Sequence, residues 1–284
     1  MTVQEPSGSH LAGRVIVVTG AAGGFGRLVC TGAAARGANV VATDIDQGGL
    51  DTLVAELVAS GAGAIGVAAD VTDLASLARV VDAAVAEWNA VDVMINNAGV
   101  MPLAFFADHQ RAAEAWSRCI DINIKGVMNG MIAVHDQMSA QGRGHVVNLS
   151  SIYGNAPVVG AAVYGATKAA VNVMSESFRV ETQGRIKVTI VKPTGVPATG
   201  LSSGVINPAA VVGILGQNTV EYGAVFDALG TGRFDAVDLD PDSIGYAVLD
   251  PQHVADQILY AIDQPWGVSI GDITIRAAGD RYIL

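Results

Sequence analysis

The chain has 284 residues, of which 51% are hydrophobic, only 5% aromatic and 34 are glycine, so a large core packed mainly by Ala, Val and Gly is expected. Its 16 basic and 27 acidic residues give a formal charge of -11. That field disfavours nucleic acid and anionic membrane surfaces, and no uninterrupted apolar run approaches the ~18 residues of a membrane span.

Residues 1–10, MTVQEPSGSH, are polar and lack a basic segment followed by an apolar one, so they read as a flexible tail rather than a signal peptide. RVIVVTG (14–20) predicts a buried strand ending in Gly. GFGRLVCTGAAARG (24–37) predicts a helix stopped by Gly37, NVVATD (39–44) a second strand, and LDTLVAELVASG (50–61) a helix closed by Gly61. AIGVAAD (64–70) is the third strand candidate. Residues 73–89 form a helix with Asp73 as N-cap, and VDVMINNAG (91–99) is the fourth strand. A long helix over roughly 111–140, a strand at 144–151, a helix at 164–183 and a strand at 186–193 follow.

The segment 200–250 breaks this rhythm with Gly, Asn, Pro and Asp, and reads as an inserted cover for a substrate site. A helix at 250–265 and a strand at 268–277 close the pattern. Strands alternating with helices predict an α/β fold of Rossmann type: a doubly wound, mostly parallel seven-stranded sheet with helices on both faces. We read one domain over 11–284, with its ligand crevice at the carboxyl ends of the strands.

TGAAGGFG (19–26) sits between the first strand and the first helix. Gly20, Gly24 and Gly26, with Phe25 between them, let the backbone turn tightly and approach a pyrophosphate. The helix N-terminus supplies unpaired N–H groups and partial positive charge. Asp44, ending the second strand, can accept hydrogen bonds from a ribose; its charge repels a 2′-phosphate, which favours NAD over NADP. The alternative is a strand-end turn residue.

Tyr164 and Lys168 lie four apart in YGATK, on one face of a helix. A phenol ionises near pH ~10, and a neighbouring ammonium favours its ionised form, so the pair can move an alcohol proton.

Together these motifs resemble the short-chain dehydrogenase/reductase family. The shared features are the TGxxxGxG spacing of Thr19, Gly20, Gly24 and Gly26, the DV pair Asp70–Val71, NNAG at 96–99, and YxxxK. The resemblance covers roughly residues 12–200 and, more loosely, the C-terminal helix and strand. It implies adenine contacts from Asp70 and Val71, and support or close approach to the cofactor from Asn97, Ala98 and Gly99. It also implies a substrate-binding Ser151 thirteen residues before the tyrosine, Lys168 on the nicotinamide ribose, and Asn123 holding a proton-relay water. A capping serine at 151 and an interhelical hydrogen bond at Asn123 are the plainer readings. NADP-preferring members often carry a basic residue where this chain has Gly23 or Ile45, so Ile45 and Asp44 imply NAD. The family's PG followed by threonine is altered here to PTGVPAT, leaving Pro193, Gly195, Val196 and Thr199 as candidate cofactor contacts.

Cys30 and Cys119 stand far apart with no CxxC and read as buried free thiols of a reducing, cytoplasmic setting. The five histidines show no metal-ligand spacing, no metal is expected, and no GxSxG elbow occurs. The crevice mouth should carry Met101, Pro102, Ile152, Tyr153, Val158 and Val159, with Leu201, Val205, Ile206, Val211, Ile214 and Leu215 from the cover. This points to an apolar secondary alcohol or ketone. The resemblance further implies a homotetramer. The competing readings are an NADP-dependent carbonyl or enoyl reductase and a non-catalytic dinucleotide-binding regulator.

Overall fold

The computed structural model describes residues 9–196, 199–220 and 236–284. The polar tail expected at 1–10 therefore lies almost wholly outside the described residues, as do Pro197 and the middle of the 200–250 segment.

Seven strands form one sheet in the order β3-β2-β1-β4-β5-β6-β7. They are β1 (Val15–Thr19), β2 (Asn39–Asp44), β3 (Ala64–Ala68), β4 (Val93–Asn96), β5 (Gly144–Leu149), β6 (Ile186–Pro193) and β7 (Asp272–Ile275). Every pairing is parallel. The central strands are apolar at nearly every position because helices cover both faces. All five residues of β1 are buried, and alternation sends Ile16 and Val18 to one core and Val15 and Val17 to the other.

The first core is closed by α1 (Gly24–Ala34), α2 (Gln47–Ala59) and a late helix, Pro251–Ile262. The second is closed by α3 (Leu74–Trp88), α5 (Val127–Gln141) and α6 (Ala162–Glu181), through residues such as Leu77, Val134 and Val171. Asp73 caps α3 by accepting from the Ala75 N–H at 3.0 Å, and Asp250 caps the late helix through the Gln252 N–H at 2.7 Å. α2 starts earlier than its apolar pattern suggests, because Asp46 accepts from the Gly49 N–H at 3.1 Å and sets the cap there.

The long helix expected over 111–140 is present but not uniform. It consists of α4 (His109–Ile120), a wider π-type turn over Asp121–Gly126, and α5. Such turns place an extra residue in the spiral and gather at functional sites; here the turn carries Asn123. The fourth strand is shorter than expected: Asn97–Gly99 leave the ladder to arch over the end of β1. The last is also shorter than its apolar run.

The described parts of 200–250 contain short turns of helix, including α7 (Val212–Leu215) and α8 (Ala236–Leu239), which makes the late helix α9. The first part lies on the loop after β4. The Ile206 and Asn207 N–H groups both donate to the Leu103 carbonyl at 3.0 Å, and the Asn207 amide donates to Asp108 at 2.8 Å. Ile214 and Leu215 are buried there in a third apolar cluster, above the carboxyl ends of the strands. At the opposite end of the sheet, the Arg14 guanidinium donates to the Ile262 and Gln264 carbonyls and lies 4.3 Å from the Trp266 ring, pinning the end of α9 to the start of β1.

His145, fully buried in β5, shares a 2.8 Å hydrogen bond with the Thr189 hydroxyl. Burial, with Lys187 and Arg14 nearby, pushes its pKa down from 6.5 to about 3. The unfolded chain therefore takes up a proton that the folded chain refuses as pH falls from 6.5 towards 3. In that window this residue weakens the fold by up to about 1.4 kcal/mol per pH unit. Urea unfolding should show His145→Gln gaining stability relative to wild type by roughly that slope as pH is lowered; parallel curves would contradict it.

Candidate active site

The strand order reverses between β1 and β4, which opens a crevice at the carboxyl ends. A cavity of about 1370 Å³ fills it. This exceeds the ~300–1,000 Å³ usual for one small molecule, so a dinucleotide and a second molecule can share it.

One wall is the turn from β1 into α1. Gly20, Gly23, Gly24 and Phe25 line the cavity. Gly26 stands behind them, where a methyl group would overlap the Gly20 carbonyl and come within 2.8 Å of the Asn97 amide. Gly26 thus permits close packing rather than direct contact. The turn is tied to the end of β4: Asn97 Nδ2 donates to the Thr19 and Gly20 carbonyls at 2.9 and 3.1 Å. The Thr19 hydroxyl accepts from the Asn97 and Ala98 N–H groups at 3.0 and 3.1 Å. Asn97 is therefore a brace between strand ends, with Ala98 and Gly99 on the cavity wall.

Asp44 also lines the cavity, beside Ile45. Its carboxylate is oriented by the Ala22 N–H at 3.0 Å and the Asp46 N–H at 3.1 Å. Asp70 and Val71 line the same region, and Asp70 accepts from the Thr72 N–H and hydroxyl at 2.9 and 2.8 Å.

The opposite wall is built on α6 and the end of β5. Tyr164 and Lys168 share one face of α6 and are only 3% and 5% exposed, so both project into the fold's interior at the cavity wall. Lys168 Nζ donates to the Leu149 carbonyl at 2.8 Å and lies 5.7 Å from the Tyr164 ring centre. Ser150 turns away to donate to the Lys168 carbonyl at 3.1 Å, while the Ser151 hydroxyl accepts from the Tyr153 N–H at 3.3 Å and sits beside Tyr164. The ring of Tyr153 meets that of Tyr164 edge-on, with centres 5.5 Å apart.

The expectation that Lys168 lowers the Tyr164 phenol does not hold in this environment. Burial pushes the phenol up, opposed by the Ser151 hydrogen bond. The same burial lowers Lys168 from 10.5 to about 8. Removal from water disfavours the charged form of each.

Asn123 does not reach the cavity. Fully buried on the π-type turn, it accepts from the Val100 N–H at 3.0 Å and donates to the Val100 carbonyl at 2.9 Å. It also donates to the Thr167 hydroxyl and the Cys119 sulfur, both at 3.2 Å. It locks the wall segment at Val100 to α6. Burial pushes the Cys119 thiol up, consistent with an inert packing residue.

Past β6, Pro193, Thr194, Gly195, Val196 and Thr199 all line the cavity despite the altered spacing. The Thr194 N–H continues the ladder to the Ile275 carbonyl at 3.0 Å, so the additional residue extends the strand pairing. Met101, Tyr153, Leu201, Val205 and Val211 form apolar lining. Ile152, Val158, Ile214 and Leu215 back it from the third cluster, whereas Val159 is 70% exposed and points elsewhere.

Thr19 was legible only as part of the glycine-turn spacing; that its hydroxyl gathers two N–H groups was missed, as was Gly165. A methyl group at Gly165 would sit 2.9 Å from the Tyr153 carbonyl, which explains a small residue directly after the tyrosine. Tyr282, which lines the cavity from the far end of the chain, was also missed. Among the described residues no group of three His, Cys, Asp or Glu side chains could hold a metal ion, and no described helix is long and apolar enough to cross a membrane.

This combination of sheet, switch point and Gly-rich turn defines an α/β protein of Rossmann type. Residues 14–207 match the family model of the short chain dehydrogenases, and the chain belongs to that family of oxidoreductases. A glycine betaine reductase, ATRR, of Emericella nidulans is 35% identical over 267 residues; the match takes in 94% of this chain but 19% of that protein, so the chain spans about a fifth of its length. A short-chain dehydrogenase/reductase from Burkholderia phymatum, solved in complex with NAD, is 27% identical with a TM-score of 0.73, covering 93% of this chain and 89% of that one. The closed form of a serine dehydrogenase complexed with NADP+ is 28% identical with a TM-score of 0.76, covering 95% and 97%. Nicotinamide dinucleotides of both kinds therefore occur among proteins of this shape.

Removing the Asn123 amide leaves the part-buried Val100 N–H without its partner. Asn123→Ala should lower the unfolding free energy by about 2–3 kcal/mol in urea titrations. A loss under about 0.5 kcal/mol would show that the lock carries no load.

Proposed function

We propose that this chain is an NAD-dependent oxidoreductase of apolar secondary alcohols and ketones, with Tyr164 as general acid/base. The observation that carries this reading is the buried trio at one cavity wall: Ser151 beside Tyr164, with Lys168 one helical turn on. A protein that only bound a dinucleotide would need the glycine turn but not a desolvated tyrosine and lysine facing it.

The turn suits a dinucleotide, since the packing of Gly26 leaves the α1 N-terminus open to the cavity. Gly20, Gly24 and Phe25 would hold the pyrophosphate, Asp44 and Ile45 the adenosine ribose, and Asp70 and Val71 the adenine. Ala98, Gly99, Pro193, Gly195, Val196 and Thr199 would hold the nicotinamide half. Two acidic residues, Asp44 and Asp46, with Ile45 between them, stand at the end of β2. A 2′-phosphate would meet their repulsion, which favours NAD.

When bound, NAD supplies the acceptor for the electron pair of the alcohol's carbinol C–H bond. Ser151 donates a hydrogen bond to the substrate oxygen and holds it beside the phenol. Tyr164 takes the hydroxyl proton as the carbonyl forms, or returns it in the reverse direction. Lys168 would grip the nicotinamide ribose, and its charge, joined by that of the bound cofactor, would favour the phenolate against the burial that raises it. Asn123 positions this set from behind, through Val100 and Thr167. Met101, Leu201, Val205 and Val211 offer the substrate an apolar lining.

The whole of 11–284 would act as one unit with 200–250 as its cover. Ile120, Met128 and Ile132 on α4 and α5, with Val173 and Val180 on α6, are between 39% and 67% exposed. These apolar side chains support association of copies into a tetramer. Two buried free thiols support a reducing, cytoplasmic setting.

Tyr164→Phe should lower kcat for alcohol oxidation by about a hundredfold to ten-thousandfold, with NADH affinity by fluorescence unchanged. An unaltered rate would remove the assigned base. Asp44→Ala with Ile45→Arg should turn the preference from NAD towards NADP in initial rates at matched concentrations. A wild type that is faster with NADP would overturn the cofactor assignment.

A further inference from the structure

Residues 276–284 fold back from β7 onto the catalytic face. Arg276 pairs with Asp280 at 2.8 Å and donates to the Leu284 carbonyl at 2.7 Å and the Tyr282 carbonyl at 3.3 Å, which curls the segment on itself. The Ile283 N–H donates to the Ile214 carbonyl at 3.0 Å, and the Asn218 amide donates to the Arg281 carbonyl at 2.8 Å. The segment is therefore fastened to α7 and the turn after it, the part of the cover that lies over the site.

Between these fastenings, Tyr282 points inward. It packs with Leu284 on the apolar cluster that contains Ile152, Tyr153, Tyr164 and Ile214, and it lines the main cavity. A methyl group at Gly195 would overlap its hydroxyl. Gly195 follows Thr194, the residue that lengthens the β6–β7 pairing, so the altered PTG sequence and the folded-back segment meet at one point of the wall.

The geometry points to Tyr282 as a specificity-determining residue that limits the size of the alcohol admitted beside Tyr164. This rests on the proposed alcohol/ketone reaction. An aromatic ring with few rotatable bonds, its neighbours on both sides held by hydrogen bonds to their backbone, makes a firm wall. Shape is a sufficient selector here, because even one methylene of misfit in an apolar pocket changes kcat/KM by roughly tenfold or more. A ring that merely filled the core would affect stability and leave substrate ranking alone.

The test is a series of secondary alcohols of increasing bulk, assayed with NAD on the whole chain. Tyr282→Ala should raise the ratio of kcat/KM for a bulky over a compact alcohol by about tenfold or more, while NADH affinity by fluorescence stays at the wild-type value. Tyr282→Phe, which keeps the ring, should keep the wild-type ratio. If the alanine variant does not fold, Tyr282→Leu carries the same comparison. An unchanged ratio in a folded, NADH-binding variant overturns the assignment while leaving the reaction intact. A wild type that binds NADH yet oxidises no alcohol in the series refutes the reaction, and this inference falls with it.

Discussion

The hydrogen bond from Lys168 Nζ to the Leu149 carbonyl fixes the wall of the crevice that carries Tyr164. A lysine 5% exposed has few partners, and this one is bound at 2.8 Å to the last residue of β5. The bond seats α6 across the carboxyl end of the sheet. The return contact, from the Ser150 hydroxyl to the Lys168 carbonyl, ties the same residue from its backbone side. With both in place, Tyr164 lies one turn earlier on the same face, and Ser151, next along from Ser150, meets it. The small residue after the tyrosine lets this happen, since anything larger at 165 would press on the Tyr153 carbonyl.

Burial sets the chemistry as much as proximity does. The same desolvation raises the phenol and lowers the ammonium to about 8, so at neutral pH the wall rests as a protonated tyrosine beside a cation with a weakened hold on its proton. In the proposed reaction, proton transfer at Tyr164 then depends on charge brought into the crevice with the cofactor, rather than on the lysine alone. Asp44 works in the opposite, wetter setting, where two backbone N–H groups aim its carboxylate into the cavity.

The parallel seven-stranded sheet was legible because strands buried on both faces leave unbroken Val/Ile runs, and because a cap such as Asp73 is a local signal. The span of β6 could be read to the residue for the same reason. The glycine turn, Asp44, Ser151, Tyr164 and Lys168 were legible as spaced motifs, and the fold brings all of them to one cavity. What stayed hidden depends on partners distant in sequence. The π-type turn becomes intelligible only with Val100 and Thr167 around Asn123. The role of Thr19 needs the N–H groups of 97 and 98. Tyr282 gives no periodic or spacing signal at all; its place follows from the contacts of residues 281 and 283 with the cover. The direction of the Tyr164 shift was misjudged because spacing reveals a neighbouring charge but not the depth of burial.

In the proposed reaction, this crevice moves a hydrogen with its electron pair between a carbinol carbon and NAD. The most direct measurement follows a deuterium placed on the carbinol carbon of an apolar secondary alcohol, with NAD and the enzyme, and reads the reduced cofactor by mass spectrometry. Reduced cofactor carrying the deuterium should form with the wild-type chain, together with the matching ketone. Reduced cofactor without the label, or ketone formed without any reduced cofactor, would contradict that reaction.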